Sequence, residues 1–145
     1  MSIFTIYCTS SFEYKFNDLK KKYKNYGSLG KDLFNFFDGQ TLESVFEQKQ
    51  IIDNKAPKYR LIKCRIVNSG SKFSERSGFR LYYNVIFEQS IINLLYVYPK
   101  TGPYAQESLD IDFIKLQTKL FIKEKDQAIL KRITLNKKLK SIEFE

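Results

Sequence analysis

Two neighbouring segments of the sequence place basic residues on one face of predicted strands. Along residues 59–67 Lys63 and Arg65 alternate with apolar neighbours, and along residues 78–87 Arg80 does the same. Because paired strands share their faces, we expect the three cations to converge. Like charges placed together are unfavourable unless an anion lies among them, and phosphate is the leading candidate. The alternative is an ordinary solvated sheet face.

The distribution of charge points to the same surface. The chain has 145 residues and a formal charge of +9, and residues 59–104 hold seven Lys or Arg against two Asp or Glu. This segment therefore carries +5 of the total, while the flanking segments are nearly balanced. A basic centre of this kind is typical of a protein that meets an anionic partner on one surface.

Aromatic residues are interleaved with these cations. Tyr82 shares the face of Arg80, and Tyr98 with Lys100 extends that face from the end of a third predicted strand. Single-stranded nucleic acid is bound by this combination, because bases stack on rings while phosphates contact the cations. Lys72 and Arg76, in the predicted hairpin tip, would add phosphate contacts. Since the chain has ten tyrosines, several must be core or rim residues.

The composition excludes several chemistries. The chain has no histidine, which rules out Ser-His-Asp, Cys-His and His-based zinc sites. Neither glycine-rich nucleotide motif occurs. Cys8 and Cys64 lie in alternating, strand-like segments, so we interpret them as small buried hydrophobic residues. We therefore expect neither a metal nor a small-molecule cofactor.

The elements that would position these residues form an α+β fold. Residues 2–8 read as a strand, and Ser10 with Glu13 matches a capping box that begins the first of two helices. Three strands follow, at 59–67, 78–87 and 91–98. We predict that the N-terminal strand and two-helix hairpin pack on an antiparallel sheet of three to four strands, with a C-terminal helix.

The segment from Ala105 onwards is predicted to be helical. Its apolar stripe is carried by Leu109, Phe113, Leu116 and Leu120, and continues less regularly through Ile129, Ile133 and Leu139. We interpret residues 1–115 as the main domain and residues 116–145 as a helical extension of it. No apolar run approaches the roughly 20 residues of a membrane helix, and the start lacks the order of a signal peptide, so we expect a cytoplasmic protein without membrane contact.

Residues 2–115 resemble the RelE/ParE toxin superfamily of type II toxin–antitoxin systems, on the RelE side. The motifs are YRLIKCR at 59–65, SGFRLYY at 77–83 and INLLYVYPK at 92–100. The resemblance implies a microbial RNase fold and endoribonuclease cleavage of messenger RNA at the ribosome, with inhibition of translation. It also implies a cognate antitoxin that covers the basic face. Two departures are the long hairpin loop at 68–77 and the extension after 115.

The resemblance assigns roles to five residues. Lys63 and Arg65 match the family's paired basic positions and Arg80 matches the arginine of its S-G-[YF]-R motif. Lys100 matches the basic residue after the last strand, and Tyr104 stands in for the C-terminal tyrosine at a shorter spacing. Without histidine, Lys63 would act as the base with a pKa lowered by neighbouring cations. Arg65 and Arg80 would hold the phosphate, and Lys100 or Tyr104 would donate a proton.

Two alternatives remain open. A ParE-like protein would inhibit DNA gyrase and cleave nothing, and the strand pattern with Arg80 does not exclude it. A noncatalytic RNA-binding module would have the same basic sheet. The combination of Lys63, Arg65 and Lys100 favours the RNase.

Overall fold

The computed structural model describes residues 3–55, 58–71 and 77–145. Within these ranges the chain forms seven strands and four α-helices, with short 3-10 turns at Lys24–Tyr26 and Phe87–Gln89. The strands are β1 (Thr5–Cys8), β2 (Ile51–Lys55), β3 (Tyr59–Ile66), β4 (Phe79–Ile86), β5 (Ile91–Pro99), β6 (Lys131–Asn136) and β7 (Ser141–Phe144). The helices are α1 (Ser10–Lys22), α2 (Leu29–Phe37), α3 (Leu42–Phe46) and α4 (Ile111–Asp126).

All seven strands belong to one sheet, in the order β2-β3-β4-β5-β1-β6-β7. Only β1 and β5 run parallel among these neighbours, and the remaining pairs are antiparallel. The predicted α+β class is confirmed. The predicted three to four strands are too few. Strand β2 extends the sheet beyond β3, and the C-terminal hairpin of β6 and β7 extends it beyond β1.

One face of the sheet packs against the first two helices. The apolar side chains of α1, Phe12, Phe16 and Leu19, are buried with Ile62 and Cys64 of β3. Helix α1 begins at Ser10 because Thr9 is the N-cap, and its hydroxyl oxygen accepts a hydrogen bond from the Phe12 N–H at 3.2 Å. The predicted capping role of Ser10 is therefore wrong by one residue.

Helix α4 covers part of the opposite face of the sheet. Ile114 and Phe121 are buried there against Tyr82 and Tyr96, whereas Leu116, which was predicted to face the core, is 60% exposed. The apolar side chains of α4 that pack against the sheet are therefore rotated around the helix axis relative to the predicted stripe. At the far end of α4, the buried carboxylate of Glu124 accepts hydrogen bonds from the Ser10 N–H and hydroxyl. This contact joins α4 to the start of α1.

The prediction of a helix to the end of the chain is wrong after Asp126. Strands β6 and β7 form an antiparallel hairpin, and β6 pairs with β1 through Ile133 and Ile6. The intervening turn includes Lys140 in the left-handed region, at a φ of 52°. Residues 116–145 therefore contain the end of α4 followed by the β6–β7 hairpin, and the hairpin widens the main sheet.

Both cysteines are buried free thiols, as predicted. Burial is the main cause that raises the pKa of Cys8 to about 12, and burial also raises the pKa of Cys64. Neither thiol is suited to act as a nucleophile at neutral pH. No α-helix in the described ranges has the length and apolar character needed to cross a membrane.

Candidate functional site

The structure brings four of the predicted cations together. Lys63 and Arg65 lie on β3, and Arg80 lies on β4 directly opposite Arg65 in the strand register. Lys100 follows β5, and its N–H donates to the Gly78 carbonyl oxygen at 2.9 Å, beside the start of β4. We call these four residues the cation cluster.

The burial of Lys63 and its cationic neighbours alter its pKa. Partial burial is the largest cause that lowers the pKa of Lys63, followed by the positive charges of Lys100, Arg80 and Arg65. All three neighbours therefore contribute a positive potential at the Lys63 amine. A lysine in such a place is neutral at a lower pH than an ordinary lysine, and a neutral amine can accept a proton.

The register places the Cα atoms of Arg65 and Arg80 directly opposite each other. The Lys63 N–H donates to the Gln50 carbonyl oxygen on the outer edge of β3, at 3.1 Å. The backbone N–H and C=O groups of successive residues point to opposite edges of a strand. Those of Arg65 therefore point to the same edge as those of Lys63, away from Arg80. Their pairing is therefore the closer, non-hydrogen-bonded kind, with Cα atoms about 4.5 Å apart.

Arg80 is the most buried member of the cation cluster. Its side chain lies on a central strand and is 6% exposed, and its Nη1 donates to the Phe79 carbonyl oxygen at 3.2 Å. Burial fixes the guanidinium within the sheet surface instead of leaving it mobile in solvent. Gly78, which precedes β4, is needed for this hairpin, because a Cβ there would lie 2.1 Å from the Ile66 carbonyl oxygen.

The two tyrosines that were predicted to stack on RNA bases are buried. Tyr82 is 4% exposed and Tyr98 0%, and their rings stack on each other with centroids 6.4 Å apart. Neither ring has an accessible face for a base, so this part of the predicted RNA-binding set needs correction. Tyr82 instead supports the cluster, since the Lys63 Nζ lies 5.8 Å from its ring centroid. Burial, followed by the neighbouring Tyr98, raises the pKa of Tyr82 to about 12.

Tyr104 lies with the end of α1. Its ring is 6.5 Å from that of Tyr26, and the Lys22 Nζ lies 5.2 Å from its centroid. The Tyr104 N–H donates to the Tyr26 hydroxyl oxygen at 3.3 Å. These contacts belong to the helical face, so Lys100 is the better placed of the two predicted proton donors. Lys72 and Arg76 lie outside the described residues.

A second group of residues, which the sequence analysis missed, fixes the loop after β3. The Asp32 carboxylate on α2 accepts hydrogen bonds from the Ser28 hydroxyl at 2.7 Å and the Ser69 N–H at 3.1 Å. The Gly70 N–H in turn donates to the Ser28 hydroxyl oxygen at 3.0 Å. The available signal was an aspartate within the apolar stripe of α2, beside Leu29 and Leu33.

Arg60, another cation of the basic segment, has a structural role. Its guanidinium donates to the Phe46 carbonyl oxygen at 3.0 Å, lies 4.2 Å from the Phe46 ring centroid and pairs with Glu47 at 3.1 Å. These contacts tie α3 to β3. The basic residues of this segment that the structure describes therefore divide into a structural arginine and the cation cluster.

Comparisons with protein-family models, with curated proteins and with solved structures gave no match to this chain. Within the described part of the chain, no group of three or more His, Cys, Asp or Glu side chains is arranged to hold a metal ion. The site is therefore defined by its own residues, as a cluster of cations around a lysine whose pKa is lowered.

Charge repulsion within the cluster gives a testable consequence. Replacing Arg65 with glutamine removes one cation opposite Arg80, so we expect the free energy of unfolding to rise by a few tenths to about 1 kcal/mol. We expect the same variant to bind single-stranded RNA more weakly and with a shallower salt dependence. Urea unfolding and fluorescence anisotropy measure the two effects. A variant that is less stable and binds RNA as well as the wild type would contradict a phosphate site.

Proposed function

We propose that the cation cluster binds a phosphate of RNA and that this chain is a RelE-like toxin, an endoribonuclease that cleaves messenger RNA at the ribosome. The observation that carries the proposal is the convergence of Lys63, Arg65 and Arg80 on paired strands with Lys100 beside them. Burial, followed by these neighbouring charges, lowers the pKa of Lys63. A cluster that disfavours its own charge in the free protein is suited to an anionic ligand, because the ligand relieves the repulsion.

The cluster contains the groups that cleavage of RNA requires. Neutral Lys63 would accept the proton of the ribose 2′-hydroxyl while the 2′-oxygen forms a bond to the adjacent phosphorus. Arg65 and Arg80 would stabilise the charge that develops on the phosphate oxygens. The bond from phosphorus to the 5′-oxygen then breaks, and the Lys100 ammonium would supply the proton to that oxygen. The products are a 2′,3′-cyclic phosphate and a 5′-hydroxyl.

The order of elements also supports a RelE-like fold. A first strand, a helix pair and the strands β3, β4 and β5 occur in the sequence order that the resemblance implies, with α3 and β2 inserted before β3. Since the cation cluster has few groups to orient a flexible RNA, alignment of the message by the ribosome would supply much of the rate. A cytoplasmic location and a cognate antitoxin that covers the basic face complete the proposal.

A noncatalytic RNA-binding module is the second candidate. The position of Tyr104 against Tyr26 and Lys22 favours it, because this removes one of the two proton donors that cleavage would use. Both functions have RNA as the ligand, and they differ in whether the RNA is cleaved.

Cell-free translation with mapping of messenger RNA ends tests the proposal. We expect new 5′ ends within the translated region when the protein is added, and none with Lys63→Met. Inhibited translation with intact message would identify the noncatalytic module. Intact message and normal translation, together with inhibited supercoiling by purified DNA gyrase, would identify a ParE-like function.

A further inference from the structure

A cleft of about 630 Å³ opens beside the cation cluster, between α2 and the outer edge of β3. Asn35 and Phe36 of α2 form one wall, and β3 from Lys63 onwards forms the other. Residues 48–50, which follow α3, close one end. Its volume lies within the range of about 300–1,000 Å³ that is usual for small-ligand sites.

The side chains that line this cleft suit a nucleic acid base. Asn35, Gln48 and Gln50 contribute three carboxamides from two separate parts of the chain. A carboxamide offers a donor and an acceptor side by side, which matches the edge of a base. The Gln48 Nε2 donates to the Ser44 carbonyl oxygen at 3.0 Å, which fixes that side chain. Phe36 supplies a half-buried aromatic surface.

We propose that this cleft binds the base of an RNA nucleotide adjacent to the phosphate at Lys63 and Arg65, and that Asn35 and Gln50 determine its base preference. The inference rests on the proposed RNA-binding function. It follows from the position of Lys63 and Arg65, which both line the cleft and belong to the cation cluster. The cleft lies on the α2 side of the sheet and the cation cluster on the α4 side, so a nucleotide would pass the free edge of β3 at Lys63 and Arg65 to reach both.

The backbone geometry favours a nucleotide over an extended peptide. A peptide that added a strand to the sheet would need unpaired backbone groups along β3. The Lys63 N–H already bonds to the Gln50 carbonyl oxygen, and β3 ends at Ile66. Arg65 is therefore the one further residue in this part of β3 whose backbone groups point to the outer edge. Strands usually contain at least three residues, and this edge is too short to hold one.

Fluorescence anisotropy with labelled 2′-O-methyl tetranucleotides of each base tests the inference. These RNAs lack the attacking hydroxyl, so binding is measured without cleavage, and lithium buffer keeps the guanine oligomer single-stranded. We expect the wild type to bind one base at least about fivefold more tightly than the weakest. Asn35→Ala combined with Gln50→Ala should reduce this preference to within about twofold. Asn17→Ala combined with Gln127→Ala, two exposed carboxamides elsewhere, should leave it unchanged.

The outcomes separate this inference from the proposed function. Equal binding of all four bases, or a preference that survives in the double variant, would overturn the base site while leaving the cation cluster in place. Displacement of RNA by a ten-residue polyglutamate peptide from the wild type but not from the double variant would assign the cleft to a peptide. Absence of RNA binding would overturn both proposals. A base preference without cleavage of ordinary RNA would support the cleft and contradict the nuclease.

Discussion

Replacement of Lys63 by methionine is expected to lower the rate of RNA cleavage by about 100- to 10,000-fold, the usual contribution of a general base. Methionine retains a side chain of similar length and removes the amine. Since the Lys63 amine lies beside the Tyr82 ring on a half-buried strand position, the fold should tolerate the change. Initial rates on a fluorogenic RNA measure the effect. Lys115→Met, on the exposed face of α4, is the matched control and should cleave RNA as the wild type does.

The pH dependence of the same reaction identifies Lys63 more specifically. The base must be neutral while the proton donor still carries its proton, so the rate should follow a bell-shaped pH profile whose rising limb reports the pKa of Lys63. Because burial and the neighbouring cations lower that pKa from 10.5, the rise should occur below the pH of an ordinary lysine. Arg65→Gln removes one cation and should move the midpoint to higher pH, apart from any change in the maximum rate. A midpoint that does not move would mean that Lys63 is not the titrating base.

Replacement of Arg80 by glutamine is expected to reduce RNA cleavage by about 10- to 150-fold, since a hydrogen bond to a charged group contributes about 1.5–3 kcal/mol. Arg80 lies on a central strand next to both Arg65 and Tyr98. Its side chain is 6% exposed, so a phosphate would contact only the accessible edge of the guanidinium. Initial rates on the fluorogenic RNA, with urea unfolding to verify the fold, measure the effect.

Arg80→Lys distinguishes a phosphate contact from a general need for positive charge. Lysine keeps the charge but lacks the planar pair of donors that arginine presents to a phosphate. We expect this variant to fold and to cleave RNA at a rate close to that of Arg80→Gln. Full activity of Arg80→Lys would contradict a bidentate role for Arg80.

Local alternation predicted which cations meet better than it predicted the fold around them. The two-residue period over 62–65 and 79–83 correctly assigned alternate side chains to opposite faces of the sheet, because strand geometry sets that period directly. The meeting of Lys63, Arg65 and Arg80 followed from pairing adjacent strands. Burial of Tyr82 and Tyr98 did not follow, because it depends on α4 packing over the outward face, which alternation within β4 and β5 does not reveal.

The C-terminal segment was misassigned for a related reason. Ile133 and Leu135 alternate with polar residues, a strand signal that is short and adjoins a convincing helix. Strand β6 is stabilised by pairing with β1, more than 120 residues earlier in the chain. The error in the predicted apolar side of α4 has the same cause, since contact with the sheet determines which side of the helix is buried. Long-range contacts of this kind lie beyond local periodicity.

The most direct test of the central claim is mass spectrometry of a defined RNA after incubation with the protein and ribosomes. The substrate is a short messenger with a start codon, and the control has a single 2′-deoxy nucleotide at the mapped cleavage position. The proposed chemistry predicts fragments that end in a 2′,3′-cyclic phosphate and a 5′-hydroxyl, which disappear with the 2′-deoxy control and with Lys63→Met. An uncut messenger, or equal cleavage by wild type and Lys63→Met, would contradict the claim that the cation cluster is a nuclease site.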